Sequence, residues 1–521
     1  MIHPFQQGSH GVSASWEFVF FSVCVFGDIR TSVEEVFMKI RELLNEDRVL
    51  VQGDAETEIT GIAYDTRKLT PGNLFVCIVG TVTDGHNYID KAIELGAAAL
   101  IVTKAVEVPS HIAVIRVTDD RAALSAVSTI WFGHPAEKLI TIGLTGTKGK
   151  TTTAFMIREI LEKSGIPCGL IGTVENIIGD EHIPSAHSTP ESYVVQEYLA
   201  RMVAKGLRAV VMEVSSQGLK MQRVGGMTFD YGIFTNFGSD HIGDGEHKDL
   251  AEYFACKRML FGMSRVGIFN GDDASASDMM EGQPCRKVVF GQKADADYRM
   301  SDVKLTNENG NLGVAYHLSG KLSAEVVVDI PGAFNAYNSL AALSVSAELG
   351  VSTDTILACM KEIHVRGRVE PVKVSDNYSV MLDYAHNGMS LKSLLTTLRE
   401  YQPKRLICMF GCGGNRSKDR RYEMGEISSR MADLTVVTSD NPRYEKPEDI
   451  IADIITGVKK ADGRYVTIAD RREAIRYVLQ NAEPGDCIVI AGKGHEDYQE
   501  ICGQKYHMDD REMILEEAGI R

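Results

Sequence analysis

The densest chemistry in this sequence is the run Thr145-Gly146-Thr147-Lys148-Gly149-Lys150-Thr151-Thr152. It follows an apolar stretch at residues 139–144 and opens an amphipathic stretch at 151–163. A strand feeding a glycine-rich loop and then a helix aims backbone N–H groups and the positive helix end at phosphate. Lys150 can then reach the β- and γ-phosphates of a nucleotide, and the Thr151 hydroxyl can ligate Mg²⁺. The general GxxxxGK[ST] pattern is not strictly met, because its first glycine falls at Leu144. A Gly/Thr-rich turn with an exposed lysine is the competing reading, and the strand and helix on either side disfavour it. Glu213 follows an apolar run from residue 209, at a strand's carboxyl edge where α/β proteins bind ligands. Taken alone, such a glutamate is more often a capping or solvated group, and Lys257 in a helical stretch is by default solvated. Asp440-Asn441-Pro442-Arg443 contains the common turn dipeptide Asn-Pro. Nucleotide binding by itself selects no reaction.

These residues must be held by elements, and the elements alternate. Residues 38–137 pair short apolar strands (74–79, 98–102, 113–117) with helical stretches such as 88–95. Residues 138–363 hold the phosphate loop and strand candidates at 209–214, 231–235 and 266–269. Residues 364–521 repeat the alternation with strands at 380–383, 405–410, 434–438 and 486–491. Strand–helix alternation predicts parallel α/β sheets. The expected architecture is α/β in three domains: a smaller N-terminal α/β domain, a central P-loop-type parallel-sheet ATPase domain and a C-terminal Rossmann-like domain. The length of 521 residues is consistent with three cores. Within residues 38–44, Ile40, Leu43 and Leu44 have helical spacing.

Composition narrows the partners. Apolar residues make up 44% and charged residues 24%, ordinary for a globular chain. A net charge of −16 argues against nucleic acid or anionic membrane as the main partner, though not against an anionic substrate met by local cations. Ten scattered cysteines without a CxxC pair read as reduced thiols and predict a cytoplasmic protein. The apolar run at 16–26 is too short to span a bilayer and lacks the flanks of a signal peptide, so no membrane insertion is expected. Met38 is expected to be the natural start, with 1–37 a non-native or disordered extension.

The TGTxGKTT variant of the loop occurs here with further blocks in order. They are Asp65-Thr66-Arg67, Pro71-Gly72-Asn73, Asp84-Gly85-His86, Ser188-Thr189-Pro190-Glu191, Glu213-Val214-Ser215-Ser216, Asn236, Asp240-His241 and Ala255-Cys256-Lys257. Gly332-Ala333-Phe334-Asn335 with Asn338, Gly367-Arg368-Val369-Glu370 and Asp383-Tyr384-Ala385-His386-Asn387 follow. Gly411-Cys412-Gly413-Gly414, Asp440-Asn441-Pro442-Arg443 and Gly492-Lys493-Gly494-His495-Glu496 complete the series. The ordered set, covering nearly everything from Met38 to Arg521, resembles the Mur ligases of peptidoglycan precursor synthesis, specifically those adding the third amino acid.

The resemblance implies an ADP-forming ligase in which Mg²⁺-ATP phosphorylates the carboxylate of UDP-N-acetylmuramoyl-L-alanyl-D-glutamate and an amine attacks the acyl phosphate. It implies Lys150 as a catalytic cation, Thr151, Glu213 and His241 as metal ligands, and Lys257 carrying CO₂ as a carbamate, N6-carboxylysine, that also serves the metal. ATP is expected on Gly146, Thr147, Lys148, Gly149, Lys150, Thr151, Thr152, Asn338 and Arg368, with Asp383 near the ribose. The UDP-substrate is expected along Thr66, His86, Ser188, Thr189, Ser215 and Arg223. The diamino acid is expected on Arg416, Asp440, Asn441, Pro442, Arg443, Gly492 and Glu496. Arg443 offers a bidentate fork for the far carboxylate of meso-diaminopimelate, and Glu496 can accept from its ammonium. The sequence departs from the family's usual pattern at Gln217, at Met221, in the stretch 242–247, at Gly388 in place of a proline, and at Asn415. Competing readings are the same reaction with L-lysine or another diamino acid, a folylpolyglutamate synthetase-like ligase, and a catalytically silent nucleotide-binding regulator. Residues 38–137, a whole domain suited to a nucleotide-sugar, disfavour the second.

Overall fold

The computed structural model describes residues 37–80, 83–239, 242–243, 246–363 and 365–521. The extension expected at 1–37 therefore lies outside the described residues, apart from Phe37. Among the described residues three large β-sheets follow one another along the chain, accompanied by two two-stranded ribbons.

The first has five strands in the order Val49–Gln52, Ala113–Arg116, Ala99–Val102, Asn73–Val76, Gly61–Ala63. All of its pairings are parallel except that of the edge strand Val49–Gln52. Its central strands are buried on both faces, which is why they read as unbroken apolar runs. The spacing of Ile40, Leu43 and Leu44 does not give an α-helix. Met38–Lys39 pairs antiparallel with Glu58–Ile59, and only a single 3₁₀ turn, Ile40–Leu43, follows.

The central sheet has eleven strands. Its parallel middle runs Cys168–Ile171, Ala209–Glu213, Ile140–Thr145, Phe229–Phe234, Ser264–Asn270, Arg286–Gly291. Alternation of strand and helix missed what flanks it. Glu175–Ile178 and Glu181–Pro184 form an antiparallel hairpin at one edge, and Tyr298–Glu308, Asn311–Gly320 and Ala324–Val328 an antiparallel meander at the other. The meander covers a core face with one side only, and its alternating burial reflects that. The helices Lys150–Lys163 and Phe334–Glu348 close over the core, burying Met156, Ile160, Leu340 and Leu343.

The third sheet has six strands, Glu370–Pro371, Ser379–Asp383, Cys487–Ala491, Leu406–Phe410, Leu434–Val437, Tyr465–Thr467, parallel but for the first. The chain is thus α/β, each large sheet having a parallel centre with antiparallel strands at one edge or both. Contacts join the units. Tyr193 of the helix Ser192–Ala204 meets Phe132 and Tyr64. The Tyr401 hydroxyl donates to Gly313 O (2.7 Å) and accepts from Gly332 N (2.8 Å). No helix among the described residues is long and apolar enough to cross a membrane.

Candidate active site

The phosphate loop leaves the middle of the central sheet, between the strand Ile140–Thr145 and the helix Lys150–Lys163. Gly146 and Gly149 have φ of 150° and 86°, where side chains are strained. A Cβ on Gly149 would strike Asn338 Oδ1, so the glycine lets the helix Phe334–Glu348 present Asn338 at the loop. Asn236 holds the loop open: it accepts from Thr147 N (2.9 Å) through its carbonyl and from Lys148 N (2.9 Å) through Oδ1, while its Nδ2 donates to Lys148 O (2.9 Å). Lys150 Nζ donates to Gly146 O (2.9 Å) and Thr147 O (3.2 Å). Lys257 Nζ, from the helix Leu250–Gly262, donates to the same Gly146 O (2.8 Å) and lies 4.3 Å from the centre of the Tyr253 ring. Lys257 is only 1% exposed, so its default as a solvated helix lysine does not hold. Two lysine side chains therefore converge on the carbonyl side of the phosphate loop, at the start of the helix Lys150–Lys163.

Glu213 stands beside this cradle, at the end of its buried strand and opposite Leu144 in the register. Its Oε2 accepts from the hydroxyls of Thr151 and Thr173 (both 3.0 Å), and its Oε1 from Thr173 N (2.8 Å). Thr173 Oγ1 also lies 2.7 Å from Ser188 Oγ. Thr189 Oγ1 donates to Glu213 O (2.9 Å) and accepts from Ser215 N (3.0 Å), and Arg223 Nη1 donates to Thr189 O (3.0 Å). Ser188, Thr189, Ser215 and Arg223 thus share one network with Glu213 and the phosphate loop. Thr173 was missed from sequence, since a lone threonine after a strand carries no signal. Thr66 and His86 sit apart, in 3₁₀ turns that follow strands of the first sheet. Thr66 opens a 3₁₀ turn capped by Asp65. His86 is buried with Nδ1 on Asp84 Oδ1 (2.6 Å) and Nε2 accepting from Thr103 N (3.1 Å), so both ring nitrogens are engaged in holding its own loop.

Among the described residues no three His, Cys, Asp or Glu converge as a metal cage. His241 lies outside the described residues. One buried carboxylate and one hydroxyl beside a phosphate loop fit Mg²⁺, which keeps waters and takes few protein oxygens together with phosphates.

The third sheet faces this site across a cleft of about 770 Å³ lined by Thr173, His182, Arg368, Tyr384, His495 and Glu496, among others. Arg368 lies 5.7 Å from the Tyr384 ring centre, which also packs against His495. Burial and the nearby Arg368 and Arg366 hold the His495 imidazole down to about 4. Asp383 is buried, with Oδ2 accepting from Val369 N (2.8 Å) and Oδ1 from Ala385 N (2.7 Å), so it clasps the Gly367-Arg368-Val369 turn to the strand end. Burial pushes its carboxyl upward.

The loops expected to hold the amino acid come together. Asn441 Nδ2 donates to Glu496 Oε2 (2.8 Å), and the Tyr384 hydroxyl lies 3.4 Å from Glu496 Oε1. Lys493, which stands in the last of the ordered blocks with no role assigned there, is fully buried and lies 3.6 Å from Glu496 and 3.4 Å from Asn441 Oδ1. Asp440 is buried against Gly492, and its Oδ1 accepts from Asn441 N (2.5 Å). Pro442 is buried too, whereas Arg416 is exposed on the preceding loop. Arg443 donates from Nε to Glu500 Oε2 (3.0 Å) and from Nη1 to Gly414 O (2.8 Å). Glu500, on the strand Tyr498–Ile501, is a fixing partner that the sequence motifs did not reveal.

Phosphate loop, buried carboxylate and the facing third sheet define a nucleotide-binding α/β protein whose site lies between two sheets. The chain matches the Mur ligase family catalytic domain over residues 58–136, the Mur ligase middle domain over 144–346 and the Mur ligase glutamate ligase domain over 367–494. It belongs to the Mur ligase family. It is 39% identical over 481 residues, 92% of this chain and 98% of the relative, to the UDP-N-acetylmuramoyl-L-alanyl-D-glutamate--2,6-diaminopimelate ligase of Caldanaerobacter subterraneus subsp. tengcongensis. A solved structure of a ligase of that name superposes with a TM-score of 0.69 at 27% identity, covering 93% of this chain and 99% of that one. A folylpolyglutamate synthase from Mycobacterium tuberculosis shares the fold at a TM-score of 0.53 and 17% identity, over 71% of this chain and 92% of its own.

Proposed function

We propose that this enzyme joins meso-2,6-diaminopimelate to UDP-N-acetylmuramoyl-L-alanyl-D-glutamate, converting ATP to ADP and phosphate, in the cytoplasmic synthesis of peptidoglycan precursors. The observation that carries the reading is the likeness to diaminopimelate ligases over nearly the whole chain, with Arg443 and Glu496 on converging loops.

The residues divide the work. Residues 146–152, with Asn338 and Arg368, bind ATP, and Lys150 neutralises the transferring phosphoryl group, a contribution worth several kcal/mol in such sites. Thr151, Glu213 and His241 would hold Mg²⁺, which would supply positive charge against the phosphates. Lys257 would release two protons, one from its ammonium and one as the neutral Nζ bonds CO₂, giving an anionic carbamate whose oxygen could serve Mg²⁺. The one N–H left on that nitrogen could keep the bond that Nζ makes to Gly146 O. Thr66 and the loop around His86 anchor the uridine diphosphate, and Ser188, Thr189, Ser215 and Arg223 lead the peptide to Glu213. Asp383 acts on the nucleotide site through the Arg368 turn. At the amino-acid end, Arg443 faces the far carboxylate and Glu496 the far ammonium, with Arg416, Asp440, Asn441, Pro442 and Gly492 shaping the pocket. L-Lysine would bring an ammonium toward Arg443, so it is disfavoured.

The test is ligation by the purified full chain with ATP, the UDP-muramoyl dipeptide and a panel of amino acids, read as ADP release and product mass. Meso-diaminopimelate is expected to be used far better than L-lysine. Preference for L-lysine, or ADP release that needs no UDP-substrate, would overturn the assignment.

A further inference from the structure

The two loops that meet the amino acid in the proposed function are not neighbours in their sheet. One follows the strand Leu434–Val437, the other follows Cys487–Ala491, and Leu406–Phe410 lies between them. With strands roughly 5 Å apart, the loop roots are separated by about 10 Å and no ladder joins them. A ligand with charges at fixed positions needs that separation held constant.

Arg471 spans it. It begins the helix Arg471–Gln480 and is 2% exposed. Its Nη1 donates to Ser439 O (3.1 Å), at the root of the loop bearing Asn441 and Arg443. Its Nη2 donates to Ala491 O (3.4 Å), at the root of the loop bearing Lys493 and Glu496. Asp510, the buried first residue of the helix Asp510–Glu517, takes Nε and Nη2 in a bidentate pair at 2.7 and 2.6 Å. The planar fork makes four bonds in one orientation, which an ammonium could not do. The glycines on the loops allow the approach, since a Cβ on Gly411 would meet Thr438 O at 2.6 Å and one on Gly492 would meet Asp440 Oδ2 at 2.9 Å.

We infer that Arg471, locked by Asp510, is a positioning residue that sets the spacing between the Asn441/Arg443 loop and the Lys493/Glu496 loop, and thereby the charge separation of the amino acid accepted. The spacing role stands on the structure alone; its effect on substrate choice rests on the proposed function.

The full chain carrying Arg471→Met or Arg471→Lys, with Asp510→Asn as a milder second disruption, is compared with wild type in two measurements. In hydrogen exchange without substrates, amides at 439–443 and 491–496 are expected to exchange faster together while the strands beneath them do not change. In steady-state ligation, KM for meso-diaminopimelate is expected to rise at least tenfold in Arg471→Met and less in Arg471→Lys. KM for ATP and for the UDP-substrate should stay within about twofold. Wild-type exchange in both loops, or a parallel rise of all three KM values, overturns the inference. Failure of wild type to ligate any diamino acid would sink the functional reading instead, and the exchange data would still decide the clasp.

Discussion

Lys257 and Arg443 carry the sharpest expectations at the scale of single residues. If Lys257 serves as a carbamate, Lys257→Ala is nearly inactive and partly rescued by a short carboxylic acid filling the vacated space, because the metal needs an oxygen anion and not the lysine stem. Lys257→Arg keeps charge and length but cannot take up CO₂, so full activity in that variant would refute the carbamate. Arg443 is held at two of its nitrogens by Glu500 and Gly414 O, so its fork is aimed in advance. Arg443→Ala should lower kcat/KM for meso-diaminopimelate by the equivalent of about 2–5 kcal/mol while leaving L-lysine use no worse. The ratio of the two efficiencies is the measurement, and an unchanged ratio would show that Arg443 does not read the far carboxylate.

Among the elements, the helix Gly388–Arg399 explains a departure from the family's pattern. Its start is capped by Asn387 Oδ1 accepting from Ser390 N (2.9 Å). Proline suits this first helical position in general. Here the Glu423 side chain occupies the space that any Cβ at 388 would need. Glu423 is exposed and its side chain can swing aside, so Gly388→Pro should cost under about 1 kcal/mol, read as a small drop in the urea midpoint. In a Glu423→Ala background the same change should become neutral or stabilising, since proline restricts the unfolded chain. A loss of equal size in both backgrounds would mean that Glu423 is not the obstacle.

At the scale of the whole molecule, His495 in the cleft beside the third sheet gives stability a dependence on pH. His495 titrates near 6.5 in the unfolded chain and about 4 in the folded one. Between those values the unfolded state binds the extra proton, so stability rises with pH there and is lost as pH falls from about 6.5 toward 4. The melting temperature of wild type should fall more steeply across that window than that of His495→Gln. Parallel curves would show that the ring is not buried as described. Glu445, held down to about 2 by Arg421, loses its contribution only in more acid solution and does so in both proteins.

What the sequence determined by itself is local in origin. The phosphate loop is legible because its glycines, lysines and threonines are contiguous, and the buried parallel strands because each is a short apolar run. The ordered blocks carry the family resemblance because each is a short contiguous run. The tertiary structure alone decided how separated residues meet. It brought Lys257 to Gly146 O across 111 positions, Thr173 to Glu213, and Arg471 to loops two strands apart. It also turned residues 298–328 into an antiparallel meander and gave Ile40–Leu43 a single 3₁₀ turn where the spacing predicts a helix. The physical reason is that periodicity records which face of an element is buried, whereas the partner buried against it, and the polar atoms satisfied there, depend on strand order and packing.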